Sequence, residues 1–393
     1  MIRALRLGNF KCFENEVVPL QRLTLLSGVN GAGKSSVVQA MLVLRQICLR
    51  GGFTGPQVSL SGDLVDLGRA SDILFTSASE DMIWLEVEAD KCLHLRAAWL
   101  VDVETGEASW ANLSEAREAV REMAEQGVML FSGGQFGAAH VAGFNYLNAE
   151  RYGPRKALPI EVGRGRLFDL GKNGEHVLDA LLGHQDRIVL RTGDPRKLQN
   201  APGERLRDQI EAWLAEISPG VQLSIVGVPD ADLAVGSFSF GSEGALRSPE
   251  FRPTNVGFGL SYILPVLAAL LAAPEGGLVI IENPEAHLHP RGQTLMGELC
   301  ARAAAAGVQV IIETHSDHVL DGARLMVKNG VLSREDVVFH YLHLSGGRAV
   351  RRSPVIDDEG RLSEWPEGFF DQHRKNTAQW PGRDAANYVR IRL

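Results

Sequence analysis

Apolar and polar positions follow two rhythms along the chain. Residues 2–7 and 22–27 ("RLTLLS") read as short strands, and 34–49 ("KSSVVQAMLVLRQICL") carries apolar residues at helical spacing. The opening unit is therefore strand, glycine loop, helix. Residues 51–110 read as strands and turns, in "QVSLSGDLVDLG", "DMIWLEVEA" and "LHLRAAWLVDV". A polar helix is predicted over 113–126, capped by Asn112 or Ser114. The stretch 127–206 is glycine-rich and irregular, with "YLNAERYGPRK" near its start. A helix over 205–217 and strands at 221–227 and 236–240 follow. From 257 onward the pattern alternates: helix 257–273, strand 277–282, helix 290–306, strand 308–313, helix 316–327. That alternation predicts a doubly wound α/β fold.

Composition narrows the class. The chain has 393 residues, 45% hydrophobic and 22% charged, as in a folded soluble protein. The longest apolar stretch, 262–274, is too short to span a bilayer and is interrupted by Pro265. The N-terminus lacks the apolar core and cleavage site of a signal peptide. Cys12, Cys48, Cys92 and Cys300 form no CxxC pair or disulfide framework, which points to a reducing compartment. A cytoplasmic protein with no membrane partner is expected. The net charge of −8 excludes a basic nucleic-acid binder as a whole. Between 151 and 207, however, twelve Lys/Arg face seven Asp/Glu. That region is either a nucleic-acid face, with Arg187, Arg191, Arg196 and Lys197 as its core, or a solvated arginine-rich surface.

The first chemistry lies at 28–36, "GVNGAGKSS", which fits GxxxxGK[ST] in full. Glycines let backbone N–H groups curl around phosphate oxygens, a lysine reaches the β- and γ-phosphates, and a serine hydroxyl binds Mg2+. Asn30, Gly31, Ala32, Gly33, Lys34, Ser35 and Ser36 are the candidate nucleotide-binding residues, with Ser35 also a metal ligand. ATP is the better fit, because no NKxD-like guanine-reading element is present.

The second lies at 278–290, "LVIIENPEAHLHP". Its apolar strand ends in Glu282, a candidate Mg2+ carboxylate. Asn283 follows, and an amide has no proton affinity near neutral pH, so it cannot be a general base. It can orient the attacking water. Glu285 is either the base or a surface acid. His287 and His289 would share a face of a strand, but no third or fourth metal ligand has fitting spacing, and a loop meeting a partner subunit is the stronger reading. A third element, "VQVIIETHSDHVL" (308–320), ends its strand in Glu313, Thr314 and His315. A histidine there can hydrogen-bond a γ-phosphate and sense its presence.

With these motifs in hand, the chain resembles SMC/ABC-type ATPase heads. More closely, it is similar to prokaryotic AAA-family ATPases of the RecF- and OLD-like kind, in a group with a conserved C-terminal tail of unknown function. The markers are "LRLGNFKCF", "GVNGAGKSS", "YLNAERYGPR", "TNVGFGLSYILPVL", "IENPEAHLHPRGQ", "ETHSDH" and "DDEGRLSEWPEGFFDQ". The resemblance implies an α/β P-loop NTPase of the ABC/SMC head type with two lobes. Residues 1–345 would be the head, with an inserted lobe at about 51–250 and the magnesium strand and His switch at 257–327; 346–393 would be the tail. Members of that group often carry an amide where Asn283 stands.

The resemblance also implies a mechanism. Two heads sandwich ATP between the phosphate loop of one and the signature segment of the other, here "TNVGFGLSY" (254–262). Asn255, Gly257 and Ser261 are its candidate γ-phosphate contacts. It departs from LSGGQ, and it is otherwise a tight turn before a core helix. Arg151 and Arg155 sit at the phosphates, bind a nucleic-acid backbone, or form structural ion pairs. No heptad run provides SMC-like arms, and too little chain follows 327 for a Toprim nuclease. The reading is an ATP-driven homodimer or higher oligomer, slow in hydrolysis. It would gate a separately encoded effector such as a nuclease, in bacterial defence against phage or foreign DNA. A non-hydrolysing ATP-locked scaffold and a RecF-like DNA-maintenance clamp are the rivals.

Overall fold

The apolar runs that end at Gly28, Glu282 and Glu313 lie side by side in one sheet. This computed structural model describes all residues except 52, 134–142, 161–167, 189, 191, 242–246, 371–375 and 377–393. Arg191 and most of the tail past 370 therefore lie outside the described residues.

The first half of the chain forms β1 (Ile2–Phe10), β2 (Phe13–Pro19), β3 (Leu23–Gly28), α1 (Lys34–Leu49), α2 (Ala70–Ile73), β4 (Met82–Ala89), β5 (Leu93–Val101), β6 (Ala108–Trp110) and α3 (Leu113–Glu125). The middle forms β7 (Phe144–Leu147), β8 (Leu158–Pro159), α4 (Val177–His184), α5 (Leu206–Ile217), β9 (Val221–Val228) and β10 (Leu233–Phe240). The last part forms α6 (Phe258–Ala272), β11 (Leu278–Glu282), α7 (Pro290–Ala305), β12 (Gln309–Glu313), α8 (Asp317–Lys328), β13 (Val337–Ser345) and β14 (Arg348–Arg352).

Three sheets result. The central one has the order β14-β13-β3-β12-β11-β7, parallel except for the β13–β14 hairpin. An antiparallel sheet has the order β2-β1-β4-β5-β6, and a smaller one β8-β10-β9. Residues 51–250 thus contribute strands to all three.

The central strands are apolar throughout because both of their faces are covered. Alternate residues serve different cores. Val279, Ile281, Val310 and Ile312 pack with α4 to α8. Ile280 and Ile311 pack with α1, α3 and the antiparallel sheet. α1 is buried on nearly all sides for the same reason.

Helices and strands from 205 onward form within a residue or three of their predicted bounds as far as β12 and α8. The predicted helix through Pro265 does form: α6 continues past it, with Pro265 against Gly174. Other features depart from expectation. Asn112 precedes α3 but its side chain does not cap it. It accepts from Ala98 N and donates to Arg96 O, tying the helix start to β5. His287 and His289 lie in a turn and at the N-cap of α7, not on a strand. Among the described residues, no helix is longer than the 16 residues of α1 and α7, so no long coiled coil is present. None is long and apolar enough to cross a membrane.

Candidate functional site

The phosphate loop joins β3 to α1 through backbone that glycine adopts readily. Gly28 has φ +138°, and a Cβ there would stand 2.0 Å from the Leu342 carbonyl oxygen. Gly33, at φ +100°, is the N-cap of α1 and brings no side-chain cap; the first turn holds no acid. The first N–H groups of the helix are therefore left to an anion, which the helix dipole also favours. Asn30, Gly31 and Ser35 are exposed, whereas Ala32 and Gly33 are buried and Ser36 is half-buried.

Lys34 is 4% exposed and folds back over its own loop. Its Nζ donates to Gly28 O (3.1 Å) and Val29 O (3.0 Å) and lies 3.9 Å from Glu313 Oε1. Burial pulls its ammonium below the ordinary lysine range, against the pull of Glu313.

β12 lies between β3 and β11, so its last residue stands between the loop and the β11 acid. Glu282 pairs in register with Glu313, and Glu313 with Leu26. Ser35 Oγ donates to Glu313 Oε1 at 3.1 Å. The other oxygen, Glu313 Oε2, is buried with no hydrogen-bond partner among the described residues. Glu282 accepts from the Tyr146 hydroxyl (2.9 Å) and from Ala149 N (3.2 Å), one bond on each oxygen. Glu285 accepts from the Thr314 hydroxyl and from His315 N, both at 2.8 Å.

Burial raises all three carboxyl groups above the ordinary range. Glu313 is pushed up to about 7, by burial first and then by the neighbouring Glu282. Lys34 opposes this at Glu313, and a second cation opposes it at Glu282 and Glu285. Arg151 is 3% exposed and donates to Asn148 O (2.9 Å), Glu282 O (2.5 Å) and Asn283 O (2.6 Å). Burial lowers it to about 10, while Glu285 and Glu282 pull the other way. Arg151 is thus a structural clamp on the β11 exit, facing neither solvent nor a nucleic acid. Arg155 instead stacks over Tyr152.

Asn283 has φ +48°, and its N donates to Glu313 O at 2.7 Å. Asparagine tolerates this left-handed conformation better than glutamate does, a conformational reason for the amide. His315 is exposed and close enough to Lys34 that the ammonium, after burial, lowers its pKa. The loop 28–36, the acids at 282, 285 and 313, and His315 therefore form one cluster.

Asn255 and Gly257 are exposed and sit outside it. Asn255 N bonds to Arg252 O within its own turn, and Gly257 is the N-cap of α6. Their segment packs on the turn after β11: the Tyr262 ring lies 4.3 Å from that of His287. Among the described residues, no cluster of three or more His, Cys, Asp or Glu is arranged to hold a metal ion by itself. In 151–207, Arg196 is buried, pairs with Asp194 (2.7 Å) and donates to Leu270 O and Ala273 O at the end of α6. Lys197 pairs with Glu204 (2.7 Å), and Arg187 contacts His184.

Sequence reasoning omitted Glu313 and Tyr146 from the site. Glu313 was visible as a second acid ending an apolar strand, but its place beside Ser35 depends on strand order.

Two family models cover the cluster. One, "AAA ATPase domain", matches residues 1–88. The other, "AAA domain, putative AbiEii toxin, Type IV TA system", matches 145–321. Models of AAA ATPase domains thus match the chain on both sides of the cluster. A third model, "Protein of unknown function (DUF3696)", matches 332–379. No curated protein matches this ATPase. Among solved structures it is similar to an SMC head bound to the C-winged helix domain of ScpA, at 13% identity and TM-score 0.51, covering 91% of this chain and 98% of that one. It is also similar to the SMC head with an extended coiled coil bound to the C-terminal domain of ScpA from Pyrococcus furiosus. That match has 13% identity and TM-score 0.50, covering 90% and 96%. At this identity the likeness is one of fold, and it bears out the head-type P-loop architecture.

Proposed function

We propose that this ATPase head binds ATP with Mg2+ at the cluster, dimerises around it, and hydrolyses it slowly to gate a separate effector. The observation that carries the reading is the convergence of Lys34, Ser35, Glu282, Glu313 and His315 on one open helix N-terminus, at the ends of three adjacent strands. The N–H groups of 30–33 and the Lys34 ammonium would take the phosphates. The donor set fits a hard cation: a hydroxyl, two carboxylates and one carboxylate oxygen without a partner among the described residues. Ser35 and a strand-end acid, Glu282 or Glu313, would hold it, and when bound it would neutralise phosphate charge. His315, steadied through its N–H by Glu285, would meet the γ-phosphate. Asn283 would orient water. Asn255 and Gly257 would face the nucleotide of a second head.

A nuclease effector in defence is the setting we favour. The description of the 145–321 family names a toxin–antitoxin system, which supports a two-component arrangement. Lys34→Ala tests the site in the full chain: a fluorescent ATP analogue should bind about tenfold or more weakly, with ATP-dependent self-association lost. Normal binding by that variant refutes the assignment.

One observation favours the scaffold reading. Both oxygens of Glu285 are engaged, and Asn283 cannot take a proton, so no free base stands at the expected place. Steady phosphate release that Glu285→Gln abolishes supports turnover; retained ATP without release supports the scaffold. The DNA-clamp reading has less support, since Arg196 and Lys197 are already paired within the chain.

A further inference from the structure

Two acids compete for the cation position beside Ser35. We infer that Glu313, rather than Glu282, is the carboxylate that meets a divalent cation there; the inference rests on the nucleotide-site reading above. Glu313 extends from the strand next to β3, and its Oε1 already accepts the Ser35 hydroxyl at 3.1 Å. Its Oε2 is buried and has no hydrogen-bond partner among the described residues, and the residue is 6% exposed. A carboxylate oxygen left so carries an unoffset desolvation cost, and a cation relieves it.

Glu282 is placed differently. It lies one strand further from the loop, roughly 4.8 Å on. Each of its oxygens already accepts a bond from the chain on the far side, from Tyr146 and Ala149 N. Those bonds fix the segment 146–151, which carries the Arg151 clamp. Glu282 is therefore a positioning residue: it holds the wall of the site, and Glu313 faces the loop. A small cation that keeps several waters and takes one or two carboxylates suits one hydroxyl and one free carboxylate edge.

The test is binding of a fluorescent ATP analogue to the full chain as Mg2+ is titrated, repeated with Mn2+ observed directly by paramagnetic resonance. Glu313→Gln is expected to raise the Mg2+ midpoint about tenfold or more. Glu313→Asp, which keeps the charge, should fall between. Glu282→Gln should shift the midpoint less than about threefold and should instead lower the melting temperature. A folded Glu313→Gln with an unshifted midpoint overturns the inference, as does a Glu282→Gln shift equal to that of Glu313→Gln. If Glu313→Gln melts early, an unshifted Glu313→Asp overturns it. An unsubstituted chain that binds no analogue at any Mg2+ concentration refutes the nucleotide site itself, and the inference with it.

Discussion

Arg151→Met is the most informative single substitution for the architecture around the site. It keeps the volume of the side chain's stem and removes the donors to the carbonyls of Asn148, Glu282 and Asn283. Each stranded carbonyl costs about 1–3 kcal/mol, and taking one partner from a buried charge cluster costs about 3–5 kcal/mol. These costs overlap, since the same guanidinium supplies both, so a loss of about 4 kcal/mol is expected near neutral pH. The pH dependence is the sharper test. Glu282 and Glu285 are already held above the ordinary carboxylate range by burial, and the Arg151 charge opposes that. With the cation gone, both rise further. The folded chain then binds more protons than the unfolded chain through a wider window, so its stability falls more steeply as pH rises. Urea unfolding at several pH values should show a deficit present at pH 5, from the stranded carbonyls, that grows toward pH 8. A deficit below about 1 kcal/mol, or one that does not change with pH, refutes the clamp.

Two further outcomes follow from the same geometry. His340 is fully buried, with Nδ1 on Ser353 Oγ and Nε2 on Pro19 O, both at 2.7 Å, and burial lowers its pKa to about 4. The unfolded chain therefore takes up the proton first, and roughly 3 kcal/mol of stability should be lost as pH falls from about 6.5 to 4. His340→Gln should flatten that slope, as read by thermal melts across pH. Asn283→Glu should cost about 1 kcal/mol from its left-handed backbone, whereas Asn283→Gly should cost less. If the missing base limits turnover, the glutamate variant should release phosphate faster, and an unchanged rate would place the limit elsewhere.

The sequence made local features legible and left spatial order hidden. The phosphate loop, α1, β11 and β12 could be read because each is a short periodic run closed by glycine or by a polar residue. The roles of Glu282 and Glu313 could not be separated, because both end apolar strands and only the order β3-β12-β11 distinguishes them. Arg151 had three open readings, since burial decides whether a guanidinium serves a carbonyl, an acid or a phosphate. The strands β13 and β14 escaped because they follow the last motif, yet β13 lies directly against β3. The helix predicted through Pro265 forms because local propensity yields where a helix is packed on every side.

The alternation along β12 has a consequence for what the chain tolerates. Val310 and Ile312 fill one core, Ile311 fills the other, and Glu313 ends the strand beside Ser35. Apolar swaps at these positions disturb one core at a time. Inserting or deleting a single residue between 309 and 313 is a different kind of change. It would exchange the two faces and retract or overshoot the acid in the same stroke. Length, more than composition, is what this strand has to preserve, and indels here should be lethal to the fold where substitutions are absorbed.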